Sequence, residues 1–497
     1  MKIDHKPIDV DDLVGVTRSF EKVSISPSLK LPIAKARKIV DEAVTAKKIV
    51  YGITTGFGAF KNKSIDQKET KQLQENLILS HAVGVGNFFP TETVRGIMLL
   101  IANYLSKGYS GAKWETVQTI IEMLNKSVHP LIPEKGSVGS SGDLAPSAHM
   151  VLVLIGKGEA EYKGKIMTGA EAMRKAGIKP VQLSSKEGLA LINNTTAMSS
   201  VASHVVHDFR WLIELADTCA ALSLQALRGT DKAYDARIHA IKPHDGQIQT
   251  AANLRALLRG STFVDRTRVQ EAYSFRCLPQ IHGAIREAYY YVNKVVGTEI
   301  NSVTDNPLIF SGDEPDVISG GNFHGEPVAI AMDTMGIALS EIANTSDRRI
   351  ATLYDPSTNN GLPAFLVVNG GLNSGFMIMQ YTTASLVSEN KILAHPASVD
   401  SVPTSANIED LVSMGTIASR KAREIFDNTA NVLTIELISA CQAIDIRNRD
   451  LFPKLKLSKR TEKVYKKVRE IVPFIDKDTV YYPYMRAVRS SLQDLLK

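Results

Sequence analysis

Three stretches of this chain run far longer without a helix breaker than an ordinary globular helix does. Thr195–Arg228 holds no Pro or Gly before Gly229. Glu326–Leu353 is interrupted only by Pro327 near its start and by Gly336. Ile408–Ile446 contains Gly415 as its one breaker. Runs of this kind predict helical rods, the longest about 58 Å at 1.5 Å per residue. Rods of that length bury their apolar sides only by lying beside one another. The expected class is therefore mainly α, with a long-helix central bundle larger than a simple four-helix one. The rods are too polar to be membrane spans and lack a sustained coiled-coil heptad. Their exposed flanks predict an oligomer.

The first part of the chain is patterned differently. Short elements alternate with glycine-rich loops, YGITTGFGAF at 51–60 and EKGSVGSSGDLAP at 134–146. Lys163–Met167 is expected to be a strand closing a small hairpin after GEAEYKG. The reading divides the chain into a loop-rich N-terminal domain, 1–195, and a central and C-terminal long-helix bundle, 196–497.

Several function classes are excluded by composition. Cys219, Cys277 and Cys441 are odd in number, far apart and in no C-x-x-C pair, so neither a disulfide scaffold nor a zinc ribbon is expected. No metal site is expected: His204 and His207 stand three apart on a long helix with no further ligands in pattern. The N-terminus, MKIDHKPIDVDDL, has no apolar signal core, and no run of 18 or more apolar residues occurs, so the expected location is the cytoplasm with no membrane partner. The net charge of +6 comes from one segment. Between Arg447 and Arg469 ten Lys/Arg face two acids, a local +8 that leaves the remainder near −2. That pattern predicts a solvated helix face and no nucleic-acid partner.

Chemistry concentrates in Gly136–Asp143, GSVGSSGD. It is not a phosphate cradle, because no Lys follows the glycines, and it lacks the dinucleotide spacing. A Ser-Gly pair in a constrained loop has another possibility. The glycine nitrogen, unhindered by a Cβ, can attack the carbonyl two residues back. Loss of two waters then leaves an electrophilic methylidene-imidazolone built from the chain itself. Ser140-Ser141-Gly142 has the required atoms, and Asp143 stands ready to assist proton transfer.

Ten collinear blocks now carry a resemblance: YGITTGFG (51–58), LILSHAVGVG (77–86), GSVGSSGDLAPSAH (136–149), EGLALINNT (187–195), VQEAYSFRCLPQ (269–280), TDNPL (304–308), SGGNFHGEP (319–327), GLPAFL (361–366), NGGLNSGFM (369–377) and SENKILAHPASVDSVPTSANIEDLVSMG (388–415). Over nearly its whole length the chain resembles the histidine and aromatic amino acid ammonia-lyases, within the fumarase/aspartase-like superfamily. The resemblance implies a cofactor made in place, 4-methylidene-imidazole-5-one (MIO) from Ser140-Ser141-Gly142. It implies a homotetramer whose active sites are shared between subunits, and an amino acid substrate.

The resemblance also assigns roles. Tyr51 resembles the base that takes the β-proton, on a loop whose Gly52, Gly56 and Gly58 suit a lid. Gln270 and Tyr273 resemble the amide and second tyrosine facing the amino group. Arg276, expected on the same helical face, resembles the arginine that grips the carboxylate. Asn193 resembles the asparagine that binds the carboxylate and the ring oxygen, and Phe323 the aromatic wall. Ser80-His81 matches the pair carried by histidine-specific members and by some tyrosine aminomutases. Glu409 resembles the acid that contacts the imidazole or the amine. His149 is expected to orient the glycine-rich loop.

Three positions depart from the family pattern. Ser140 replaces Ala, Asn194 replaces Gly, and Ile408 and Leu411 flank Glu409-Asp410 where Gln and His are usual. Asn194 is expected to tolerate left-handed backbone and to press toward the ring. The implied reaction is deamination of L-histidine to trans-urocanate and ammonia. The alternatives are a lyase or 2,3-aminomutase acting on tyrosine or phenylalanine, a ring-free ergothioneine trimethylamine-lyase, and an inactive structural tetramer.

Overall fold

The computed structural model describes residues 1–55, 70–452 and 454–497. The chain is mainly helical. Two of the expected rods appear almost as read, Thr196–Ala226 and Glu326–Tyr354. The third is shorter. Its helix is Gly415–Ile446, and residues 408–414 are not helical. Ser405, Ala406 and Asn407 just before the expected rod and Met414 inside it take positive φ, and Thr404 and Glu409 pair through their backbones, so the chain turns sharply where the lack of breakers predicts the helix to start.

Contacts divide the chain into two compact units. The first joins Met1–His207 to Asn293–Asp333 and Pro396–Arg420. A single cut after residue 195 does not describe it, because two later segments return to it. The second holds Asp208–Val292, Thr334–His395 and Lys421–Lys497.

In the first unit the helix Thr91–Ser106 is apolar on nearly every side and almost wholly buried. It packs against Val10–Arg18 and Trp114–Asn125. Its one buried cation, Arg95, donates to the carbonyls of Val16 and Leu124 and to His129. The expected hairpin is present. Glu159–Tyr162 pairs antiparallel with Lys165–Thr168 across Lys163-Gly164, and Val128–Pro130 adds a third strand.

A triad of helices in the same unit positions the reactive loop. Thr70–His81, Leu144–Leu154 and Glu187–Ile192 pack against one another. Their apolar faces hold them together, and their ends deliver His81, Asp143 and Asn193.

The second unit is built on buried charge pairs. Glu436 accepts both forks of Arg349, at 2.6 and 2.7 Å, and the hydroxyls of Ser223 and Ser346. Asp217 accepts from His282, Arg286 and Asn253. Of the basic segment, only the part from Lys459 onward lies in a helix, Lys459–Ile471, which buries Val464 and Val468 and exposes Lys459, Arg460, Lys463 and Lys466. Arg447 departs from the solvated-face reading. It is buried and donates to the carbonyls of Ala226, Asn359 and Asn360.

Candidate active site

The glycine-rich loop is held from several directions. Gly142 has φ +72, and a Cβ there would lie 2.1 Å from the Asn194 carbonyl oxygen. The backbones are therefore in close approach, sealed by Asp143 N–H donating to Asn194 O at 2.5 Å. The Gly139 carbonyl accepts from Gly325 N–H at 3.2 Å and from the Ser413 hydroxyl at 2.9 Å. Met414 N–H donates to the Val138 carbonyl at 2.8 Å.

Asp143 is fully buried and acts as the anchor of this loop. One carboxylate oxygen accepts from the hydroxyls of Ser137 and Thr416, and the other from Met198 N–H at 2.8 Å, in the first turn of Thr196–Ala226. Burial pushes its pKa up, and these hydrogen bonds oppose the rise by favouring the charged form. Burial also raises Glu299, whose carboxylate takes the Thr195 hydroxyl at 2.5 Å and feels the charge of Asp143.

Ser140 and Ser141 share one partner. Ser140 Oγ donates to Glu409 Oε2 at 2.5 Å, and Ser141 Oγ donates to Glu409 Oε1 at 2.7 Å. Thr404 Oγ1 donates to Oε2 at 3.1 Å. On the other side, Asn193 Nδ2 donates to the Ser141 carbonyl at 2.7 Å. Half-buried His81 lies close enough to Glu409 to feel its charge. Burial lowers the imidazole pKa, which favours the neutral ring, and a hydrogen bond to the Leu77 carbonyl and then the charge of Glu409 only partly offset this. His81 Nδ1 stands 3.0 Å from Ser80 Oγ.

The remaining expected residues divide between the units. Tyr51 lies half-buried in the turn 51–54, and Gly52 beside it packs against Leu189, four residues before Asn193. The lid reading of this loop rests partly on Gly56 and Gly58, which lie outside the described residues. Phe323 is half-buried, two residues before the Gly325 that binds the Gly139 carbonyl. Gln270, Tyr273 and Arg276 belong to the second unit. Only Tyr273–Arg276 is helical there, and Gln270 precedes the helix. The three still meet. Arg276 Nη1 donates to Gln270 Oε1 at 2.5 Å, and its guanidinium lies 4.8 Å from the Tyr273 ring centre. Tyr273 is 67% exposed.

Asn194 differs from expectation. Its φ is not positive, and the polar atoms of its side chain are bonded to Ser147, Leu191 and Thr196. Its Oδ1 accepts from Thr196 N–H and from the hydroxyls of Thr196 and Ser147, capping the next helix. His149 Nε2 accepts from Gly84 N–H at 3.1 Å and so orients the neighbouring loop. His204 is a structural residue bonded to Thr17 and the Ser200 carbonyl. Among the described residues no group of three or more His, Cys, Asp or Glu could hold a metal ion. Sequence reading passed over Ser137, Thr404, Ser413 and Thr416, hydroxyls near the glycine blocks that only the tertiary fold selects.

The chain as a whole is matched by known proteins. The family model for aromatic amino acid lyases covers residues 8–470. The chain belongs to the aromatic amino acid lyase family. A relative in Alkaliphilus oremlandii, named histidine ammonia-lyase, is 56% identical over 483 residues, 97% of this chain and 94% of that one. Among solved structures, histidine ammonia-lyase from Trypanosoma cruzi is 40% identical with a TM-score of 0.91, covering 99% of this chain and 93% of that one. Tyrosine aminomutase from Streptomyces globisporus is 35% identical with a TM-score of 0.93, covering 100% and 97%. The relatives that share this fold thus carry both lyase and aminomutase names.

Proposed function

We propose that this chain is a histidine ammonia-lyase, converting L-histidine to trans-urocanate and ammonia. The observation that carries the proposal is Glu409 held against the Ser140-Ser141 pair, with a neutral His81 within its field. A carboxylate and a neutral imidazole together can accept from and donate to a substrate imidazole. A phenyl ring would leave both without a polar partner. The relatives named histidine ammonia-lyase support the same choice.

The residues around Ser141 fit a methylidene-imidazolone formed from Ser140-Ser141-Gly142. Asn193 donates to the carbonyl oxygen that the ring would keep, and Glu409 holds the hydroxyl that the ring would lose. The backbone at Gly142 has no room for a Cβ that would hinder its nitrogen. Such a ring supplies an electrophile, which helps the removal of a poor amine leaving group. The side chains do the rest. Tyr51 takes the β-proton. Arg276 grips the substrate carboxylate in a charge-assisted pair, with Asn193 helping, and Gln270 and Tyr273 face the amino group. Phe323 walls the pocket, and His81 and Glu409 hold the imidazole.

The exposed Gln270–Tyr273–Arg276 group supports a homotetramer in which one subunit's cluster completes another's site. We place the enzyme in the cytoplasm, with no nucleic-acid or membrane partner. Its three cysteines are free, and no described helix is long and apolar enough to cross a membrane.

The test is ultraviolet absorbance of the enzyme with L-histidine. Growth of the urocanate band, flat in Ser141→Ala, and an intact mass short by two waters are expected. A silent trace with a β-amino acid product from tyrosine or phenylalanine would replace this reading with an aminomutase.

A further inference from the structure

We propose that Ser140, the residue standing where the family carries alanine, positions Glu409 for the substrate imidazole after the ring has formed, a role that rests on the histidine reading. Ring formation consumes only part of the two serines. The new bond joins Gly142 N to the Ser140 carbonyl carbon, and that carbonyl oxygen leaves as water with the amide protons of Ser141 and Gly142. The second water takes the Ser141 hydroxyl and its Cα proton. The Ser140 hydroxyl is untouched.

The consequence falls on Glu409. Before cyclisation Ser141 Oγ donates to Oε1, while Ser140 Oγ and Thr404 Oγ1 donate to Oε2. Afterwards Oε1 has lost the Ser141 donor, and Oε2 keeps both of its own. One carboxylate oxygen stays clamped, and the other is turned toward the space where the serine hydroxyl stood. A freed carboxylate oxygen beside neutral His81 is an acceptor for an imidazole N–H. Of the two hydroxyls that persist, Ser140 makes the shorter bond, 2.5 Å against 3.1 Å. Thr404 alone leaves the carboxylate free to swing about a single contact. Ser140 is thus a positioning residue that acts through Glu409, and it does not itself touch substrate.

A double-mutant cycle on binding tests this without turnover. The background is full-length Ser141→Ala, which cannot form the ring and lacks the same donor to Oε1. L-histidine is titrated calorimetrically into this protein and into variants carrying Ser140→Ala, Glu409→Ala or both. With Glu409 present, losing the Ser140 hydroxyl is expected to raise Kd about tenfold, the scale of one hydrogen bond to a charged group. With Glu409→Ala, the same change is expected to move Kd less than about twofold, because the group it orients is gone. Equal losses in both backgrounds, or no loss in the first, overturn the proposal while leaving the histidine reading in place. If L-histidine does not bind the Ser141→Ala protein at all, both fall.

Discussion

Gly142→Ala is the sharpest perturbation of the reactive loop, because the structure separates its costs. The φ of +72 at Gly142 is a left-handed backbone that an alanine adopts at about 1 kcal/mol. Its Cβ would lie 2.1, 2.5 and 2.9 Å from the carbonyl oxygen, carbonyl carbon and nitrogen of Asn194, all backbone atoms that no rotamer change can move aside. Forced overpacking of that kind adds about 1–3 kcal/mol. Relief requires the two strands of backbone to separate, which breaks the Asp143 N–H to Asn194 O bond and leaves a buried donor unpaired, for about 1–3 kcal/mol more. The total expected is about 3–7 kcal/mol. Gly164→Ala isolates the first term: its φ is +74, and no atom lies within 4 Å of where its Cβ would be. Thermal unfolding of both variants, with intact mass, is the assay. Gly142→Ala is expected to melt well below Gly164→Ala and to retain both waters. If the two variants melt alike and Gly142→Ala still loses two waters, the close approach to Asn194 does not govern this loop.

Two further predictions concern buried polar residues of the first unit. Asn194→Gly restores the usual family residue but removes three acceptor contacts and the bond from Nδ2 to the Leu191 carbonyl. Stability is expected to drop by about 2 kcal/mol in denaturant titration with the two-water mass loss retained, because the Asn194 carbonyl stays in place. Loss of the ring in that variant would show that the side chain, and not the backbone, serves cyclisation. His129 should make the first unit acid-sensitive. Burial and the neighbouring Arg95 push its pKa from 6.5 down to about 4. The unfolded chain then takes up the proton more readily, so stability is full above about pH 6.5 and is lost as pH falls toward 4, by about 3 kcal/mol in all. Wild type should lose about 2 kcal/mol between pH 6.5 and 5 that His129→Gln keeps, measured by urea unfolding at each pH. Identical slopes would remove His129 as the cause.

How far fold and site could be read from sequence depends on whether the physics at each residue is local. The rods at Thr196–Ala226 and Glu326–Tyr354 are legible because scarcity of Gly and Pro is a local property, and the second rod carries only Pro327 in its first turn and Gly336 inside. The stretch 408–414 is not, because its apolar spacing suits a helix and nothing local records that Glu409 is wanted elsewhere. Ser405, Ala406 and Asn407 just before it and Met414 at its end take left-handed backbone without a glycine among them, a strain that tertiary contacts must outweigh. The most useful misreading was Asn194. Taken as a left-handed substitute for glycine, it pointed at the ring. Its sequence, Asn followed by Thr-Thr at the head of a breaker-free run, also fits a helix cap, and the cap is what forms. The same side chain cannot both cap Thr196 and crowd Gly142. Asn194 therefore strengthens the helix whose first turn anchors Asp143, and with it the glycine-rich loop that is proposed to cyclise.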